Sequence, residues 1–306
     1  MEILRGKRVL ITGASGFIGK HLCGYLSSTG AEINASGRNN PEEVSPYRWW
    51  TGDLTSIETV RQIFANVRPE FIFHLAATAW GGREHELVLP TFKNCLETTV
   101  NILVCAEEFG CQRVVIPGSL EEPELGEMPV IPSSPYAAAK WGASTYGLMF
   151  HSLYKTPVVI GRVFMAYGPG QNREKVIPYI ISSFLNGKTP ILSSGDRPID
   201  WIFIDDVVEG LVALSISRDV IGTRVDLGSG QLVAIRAIAE KIAEMMGVKY
   251  NSNSGETQMR FKEEVKKAII GEAQALMGWL RRVPLEDGLH RTIDWYKGQT
   301  LLNHGG

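Results

Sequence analysis

Apolar positions along this chain fall into two kinds of run. Short continuous stretches rich in β-branched residues recur at Arg8–Thr12 (RVLIT), 70–74, 113–116 (RVVI) and 156–163, and 32–36 (EINAS) reads as a second strand. Short apolar runs such as RVLIT predict strands buried on both faces. Residues 48–50, leading into Gly52-Asp53-Leu54, add another strand end. Between them lie helical stretches at 21–28, across most of 86–109, and at 133–153. Strands alternating with helices predict an α/β chain, a Rossmann-like doubly wound parallel sheet with right-handed crossovers. After Tyr167 the pattern changes. Gly168-Pro169-Gly170 breaks it, 176–186 is helical, and 193–198 reads as a loop. Residues 200–206 lead into a helix over 207–218, and 235–246 with a tail near 279–295 complete a smaller C-terminal lobe.

Chemistry sharpens this outline at the first strand. Gly13-Ala-Ser-Gly16-Phe-Ile-Gly19 follows it directly and opens the first helix. Gly13 permits a tight turn, Gly16 lets a phosphate approach the backbone, and Gly19 lets helix and strand pack closely. Gly13, Ser15, Gly16, Phe17, Ile18 and Gly19 are therefore candidates for holding a dinucleotide. The second strand ends in Gly37-Arg38, where an NAD site commonly carries an acid for the ribose 2′-hydroxyl. A guanidinium in that place tolerates a 2′-phosphate, which favours NADP(H) and leaves NAD(H) possible. Asp53 and Leu54 are placed to meet the adenine, and the small residues of Leu75-Ala76-Ala77 let a cofactor lie close to a strand end. The expected division is 1–166 with about 198–220 as the dinucleotide-binding domain. Residues 167–197 and 221–306 then form a substrate-binding lobe.

Tyr136 and Lys140 stand four residues apart in the 133–153 stretch, SSPYAAAKWGASTYGLMFHSL. On a helix that spacing puts both on one face. Pro135 suits the first turn, and Ser133 or Ser134 can cap it. A phenol of pKa about 10 is a poor acid or base at neutral pH. A neighbouring ammonium is expected to lower that value and make the pair an acid/base device for an alcohol oxygen. Ser119, at the end of the fifth strand, converges on the same sheet edge.

The charge balance, 31 basic against 33 acidic residues with no basic block, argues against nucleic acid or an anionic membrane as partner. Cys23, Cys95, Cys105 and Cys111 form no C-x-x-C pair and lie apart from the histidines. Reduced buried thiols are expected, with no metal site and no disulfide framework. No stretch reaches 18 apolar residues and the N-terminus lacks a signal-like run, so a cytoplasmic location is expected.

Taken together, Thr12-Gly13-Ala-Ser-Gly16-Phe-Ile-Gly19, Asp53-Leu54, His74-Leu-Ala-Ala77, Ser119, Tyr136-Ala-Ala-Ala-Lys140 and Tyr167-Gly-Pro-Gly170 resemble the extended short-chain dehydrogenase/reductases. The chain looks like their nucleotide-sugar epimerase/dehydratase/reductase branch, nearly end to end. The resemblance implies Tyr136 as acid/base, Lys140 as holder of the nicotinamide ribose, Ser119 as hydrogen-bond donor to the reacting oxygen, and Val163 in the cofactor site. It also suggests a homodimer through helices near 90–109 and 136–153. Departures from the branch bear on activity. Leu120 stands where dehydratases carry an acid, while Glu121 matches their glutamate base. Met165 replaces the usual Asn before Tyr-Gly-Pro-Gly, and Ile199 replaces an Arg. Thr78, Arg162, Arg173, Lys175 and Arg197 remain as candidates to hold a nucleotide-diphosphate sugar. The leading expectation is an NADPH-dependent reductase of a 4-keto nucleotide sugar. An NAD-dependent epimerase is the alternative, and behind it come a 4,6-dehydratase using Glu121 and a catalytically inert dinucleotide sensor.

Overall fold

The computed structural model describes residues 2–39, 45–124, 130–192, 195–250 and 264–304. The chain divides into two compact units. One comprises Met1–Val163, Val208–Asp226 and Gly271–Trp279; the other comprises Phe164–Val207, Leu227–Ile270 and Leu280–Gly306.

In the first unit, strands β1 (Arg8–Thr12), β2 (Glu32–Gly37), β3 (Arg48–Thr51), β4 (Phe71–His74), β5 (Arg113–Ser119) and β6 (Val158–Val163) pair in parallel. β7 (Met165–Tyr167) and β8 (Pro198–Phe203) lie in the second unit, and β9 (Arg224–Leu227) borders β6, giving the order β3-β2-β1-β4-β5-β6-β9. The order reverses beside β1, and the register brings Thr12 level with both Ser36 and His74. A reversal of this kind opens a crevice at the carboxyl ends of the strands.

Helices α1 (Phe17–Ser27), α2 (Ile57–Val67), α3 (Val88–Thr91), α4 (Thr98–Phe109) and α5 (Pro135–Tyr154) accompany this sheet, with a π-helical turn at Phe92–Glu97 between α3 and α4. Each long helix has a local reason for its bounds. The Ser56 hydroxyl caps α2, and its apolar face buries Val60, Ile63, Phe64 and Val67. On α5 the Ser134 hydroxyl accepts the Ala137 amide at 3.1 Å, Pro135 takes the first position, and Lys155 at φ 61° ends the helix. The core places Leu10, Ile72, Val114, Ile116, Val158 and Ile160 of the sheet against Phe64, Ile102, Leu103 and Phe150.

The second unit holds a small sheet in the order β10-β8-β7, with β10 at Leu232–Ala234 antiparallel to β8 and β7 parallel to it. Helices α6 (Val176–Leu185), α8 (Ile235–Met246) and α10 (Leu285–His304) pack on one another. α7 (Ile204–Ile216) and α9 (Ile270–Met277) begin in this unit and belong for most of their length to the first. Of residues 200–206, read above as an approach to a helix, 200–203 form most of β8 and 204–206 already begin α7. Its buried Asp200 obscures the strand pattern, yet that carboxylate accepts the Ser229 amide at 2.6 Å, the Gly230 amide at 2.9 Å and the Ala268 amide at 3.0 Å. The first helix begins at Phe17 rather than near 21, directly on the glycine loop, and β5 runs on through Pro117 and Gly118 to Ser119. Among the described residues no helix is long and apolar enough to cross a membrane. The four cysteines are free thiols, and burial pushes Cys23, Cys105 and Cys111 up to about 12.

Candidate active site

The glycine loop is shaped by close approach. Gly13 has φ 65°, and a Cβ there would lie 2.7 Å from the Ala76 amide nitrogen. A Cβ on Gly19 would overlap the Gly13 carbonyl and lie 2.8 Å from the Ala14 Cα. Gly16 caps α1 in extended conformation with no side-chain acceptor, so the first-turn N–H groups of the helix receive no cap from Gly16. Ser15 and Gly16 are exposed, and Phe17 and Ile18 half-buried. Beside this loop β2 ends in Ser36, Gly37 and Arg38. The Ser36 hydroxyl is buried without a hydrogen-bond partner among the described residues, while Arg38 is exposed. The residues present fit a dinucleotide: a backbone cradle for phosphate at a helix N-terminus, with an orphaned hydroxyl and a guanidinium where a ribose edge belongs. Asp53 is exposed and its carboxylate accepts the Thr55 amide at 3.0 Å, shaping the turn into α2; Leu54 is buried.

A buried polar chain fixes the 75–78 loop against this cradle. His74 lies between Thr12 Oγ1 at 2.9 Å from Nδ1 and Thr99 Oγ1 at 3.1 Å from Nε2. The Thr99 hydroxyl donates to the Cys95 carbonyl at 2.6 Å, so it accepts from His74 Nε2–H. His74 Nδ1 then accepts from Thr12, whose oxygen in turn accepts the Ala76 amide at 3.2 Å. Burial, reinforced by the nearby Lys140 ammonium, pulls the imidazole down to about 3, so it stays neutral in this role. The Cys95 thiol donates to the Thr78 carbonyl at 3.7 Å. Leu75, Ala76 and Thr78 are half-buried and Ala77 exposed.

Ser119, Tyr136 and Lys140 come together at the end of β5. Ser119 hydrogen-bonds the Tyr136 phenol, and Lys140 donates to the Pro117 carbonyl at 2.5 Å. The expected lowering of the phenol is not what this geometry gives. Burial raises Tyr136, the Ser119 hydrogen bond opposes that rise, and the nearby Cys95, Glu122 and Glu121 add to it. Burial likewise pulls Lys140 down, while Glu122 and Cys95 hold it up.

Glu122 was absent from the sequence-derived set. It is fully buried, with Oε1 accepting the Ser119 amide at 2.7 Å and the Ser144 hydroxyl at 3.0 Å. One signal could have exposed its neighbourhood: Tyr136, Lys140 and Ser144 make a polar stripe at helical spacing beside the small residues Ala137, Ala139, Ala143 and Gly147 of α5. Glu121 is half-buried and donates its amide to Ser119 Oγ at 3.2 Å, and Leu120 is buried with its amide bonded to the Val163 carbonyl at 3.1 Å. Val163 pairs with Ser119 across β5 and β6.

Arg162, expected to grip substrate, is instead a structural ion pair. Its buried guanidinium is bidentate to Asp226 at 2.7 and 2.8 Å and also meets Glu124, and these partners hold it protonated. Arg173 is exposed and Lys175 and Arg197 are half-buried, all in the second unit. Among the described residues no cluster of three or more His, Cys, Asp or Glu is placed to hold a metal ion.

A phenol and an ammonium on one helix face, beside a phosphate cradle at the carboxyl edge of a parallel sheet, are the parts that hydride chemistry on an alcohol requires. They define the class as a nicotinamide-dependent enzyme of the short-chain oxidoreductase type. The chain belongs to the NAD dependent epimerase/dehydratase family, whose model matches residues 9–228. It is 26% identical to the dTDP-glucose 4,6-dehydratase of Haemophilus influenzae, over 94% of this chain and 97% of that one. It is 27% identical to the UDP-glucuronate 4-epimerase of Thermodesulfobacterium geofontis, over 94% and 95% respectively. Among solved structures, MoeE5 in complex with UDP-glucose and NAD superposes with a TM-score of 0.82 at 27% identity, covering 95% of this chain and 99% of that one.

Proposed function

We propose that this chain is an NADPH-dependent reductase of a 4-keto nucleotide-diphosphate sugar. The observation that carries the reading is the end of β2, where Gly37-Arg38 supplies a guanidinium in place of a carboxylate beside the cradle. The dinucleotide, when bound, supplies the hydride. Gly13, Ser15, Gly16, Phe17, Ile18 and Gly19 would hold its phosphates, with Ser36 and Arg38 at the ribose edge, Asp53 and Leu54 toward the adenine, and Leu75–Ala77 and Val163 along the strand ends. Ser119 donates a hydrogen bond to the keto oxygen and fixes its place. Tyr136 gives its proton to that oxygen as the carbon takes the hydride, so C=O becomes CH–OH. A phenol raised by burial keeps its proton until that oxygen develops charge. Lys140 holds the nicotinamide ribose and restores the proton. Thr78, Arg173, Lys175 and Arg197 are the candidate holders of the nucleotide sugar. Leu120, apolar and buried where a dehydratase would carry its acid, sets 4,6-dehydration with Glu121 behind this reading.

A second reading, an NAD-dependent nucleotide-sugar epimerase, is favoured by the UDP-glucuronate 4-epimerase relative and by the NAD bound in MoeE5. It uses the same Ser119, Tyr136 and Lys140 in both directions and retains its cofactor. The two separate in one experiment. The purified protein is denatured, any released dinucleotide is identified, and the emptied protein is titrated with NADPH and NADH before assay on dTDP- and UDP-4-keto-6-deoxyglucose. Preference for NADPH with stoichiometric NADPH oxidation supports the reductase. Stoichiometric, slowly exchanging NAD with no net oxidation overturns it in favour of the epimerase. A homodimer through the helices near 90–109 and 136–153 is part of the proposal, since Leu89 on α3, Phe92 on the π-helical turn, and Leu153 and Tyr154 at the end of α5 are exposed apolar side chains. A monomer in sedimentation equilibrium at micromolar concentration excludes it.

A further inference from the structure

The loop after β5 folds a carboxylate inward. Glu122 is fully buried, and its Oε1 occupies the space beside Gly118 where a Cβ would sit, 2.7 Å away. That oxygen accepts the Ser119 main-chain N–H from one side and the Ser144 hydroxyl of α5 from the other. Ser144 stands one turn beyond Lys140, as Lys140 stands one turn beyond Tyr136. Glu122 is thus wedged between the strand end that carries Ser119 and the helix face that carries the acid/base pair.

Among the described residues the charged and titratable groups near it come from four elements. Lys140 faces Glu122 from this loop, Cys95 from the π-helical turn and His74 from β4; Glu122 itself faces Lys140 and, from β9, Arg224. Tyr136 on α5 faces Glu122, Glu121 and Cys95. His74 is neutral, and burial raises the Cys95 thiol away from ionisation, so among the described residues Glu122 is the carboxylate set against Lys140. Burial pushes Glu122 up and Lys140 down, each toward neutrality, and their mutual attraction opposes both shifts. The loss of one charge therefore weakens the other.

We propose that Glu122 is a positioning residue of this reaction, tying the Ser119 main chain to the Lys140 face of α5 and setting a negative charge beside the Lys140 ammonium. The inference rests on the roles given above to Ser119, Tyr136 and Lys140. It separates what Glu122 holds in place from what its charge does, because a glutamine keeps the acceptor oxygen and loses the charge.

Glu122→Gln tests it. With its partner neutral, Lys140 deprotonates at lower pH, so the basic limb of the kcat/KM profile moves to lower pH. The value of kcat/KM then falls about tenfold or more on the alkaline limb and less than about threefold near pH 6. NADPH binding, read by nicotinamide fluorescence without turnover, weakens over the same range and is unchanged near pH 6. A profile that superimposes on the wild type, or a loss equal at all pH, overturns the proposal. If Glu122→Gln gives no soluble protein, Glu122→Met fills a similar volume but loses the acceptor as well as the charge, so a pH-independent loss is expected in it and only the added alkaline loss is read. Failure of both to fold also overturns it, since the carboxylate would then serve folding rather than the site. Tyr136→Phe is run alongside. An active Tyr136→Phe refutes the underlying reading, whereas an inactive one beside an unshifted Glu122→Gln refutes only the role of Glu122.

Discussion

Arg162 is the residue on which the sequence and the structure disagree most sharply, and its replacement by Met measures which is right. The guanidinium is 4% exposed and the Asp226 carboxylate 6%, and they meet through two hydrogen bonds of 2.7 and 2.8 Å. Breaking a buried pair by removing one partner costs roughly 3–5 kcal/mol, because the remaining charge keeps its desolvation penalty. At about 2–4 °C per kcal/mol for a domain of this size, Arg162→Met lowers the melting midpoint by roughly 6–20 °C. Glu124 is 50% exposed, so Glu124→Gln costs less than about 1 kcal/mol. Pairing Arg162→Met with Asp226→Leu removes both charges, and the double variant loses less than either single variant. The assay is thermal unfolding by circular dichroism, beside UDP-glucose and dTDP-glucose binding by calorimetry. An unchanged midpoint with nucleotide-sugar binding weakened tens of fold would refute the structural assignment and return Arg162 to the substrate.

The other predictions concern the cofactor and the proton. Tyr136→Phe keeps cofactor affinity within about twofold and loses turnover by about a hundredfold or more, the usual scale of a lost general acid; near-normal turnover would remove Tyr136 from the chemistry. Arg38→Ala weakens NADPH about tenfold or more and leaves NADH nearly unchanged, as expected for one lost charge-assisted contact to a 2′-phosphate; equal weakening of both would end the argument for NADP. Gly19→Ala forces a methyl group onto the Gly13 carbonyl and the Ala14 backbone, so binding of either dinucleotide falls below detection by fluorescence titration. Wild-type affinity in a folded Gly19→Ala protein would show that the cradle is not where phosphate sits.

Much of this fold is written locally. A strand such as Arg8–Thr12 or Arg113–Ser119 is buried on both faces and therefore shows as an unbroken apolar run. The glycine loop shows because only glycine fits within 3 Å of a neighbouring main chain, and Tyr136 and Lys140 show because helical spacing fixes one face. The rest depends on contacts remote in sequence. β8 is masked by Asp200, whose burial makes sense only once the Ser229, Gly230 and Ala268 amides are brought to it. Arg162 resembles a ligand-binding arginine until β9 delivers Asp226. Glu122 sits in EEPELGE, a stretch that reads as a solvated loop, and its burial follows from docking on Gly118 and Ser144. The direction of the Tyr136 phenol was missed for the same reason: spacing gives the distance to an ammonium, but burial decides the sign.

The two carboxylates that follow Leu120 bear on which reaction the site favours. Dehydration requires an acid and a base that both reach the sugar while a dinucleotide takes and returns a hydride. Here the position for the acid is a buried leucine whose amide is fixed to Val163, and the second glutamate is committed to Ser119 and Ser144. Glu121 lies at the half-buried edge of the loop. What remains assembled around the reacting oxygen is Ser119 and Tyr136, which position one oxygen and move one proton. That suffices for adding a hydride to one carbonyl carbon, or for removing it and returning it, whereas elimination of water also needs an acid, which the buried Leu120 does not supply. On the proposed reading the loop after β5 favours redox chemistry at a single carbon, and a titration with NADPH and NADH separates net reduction from epimerisation.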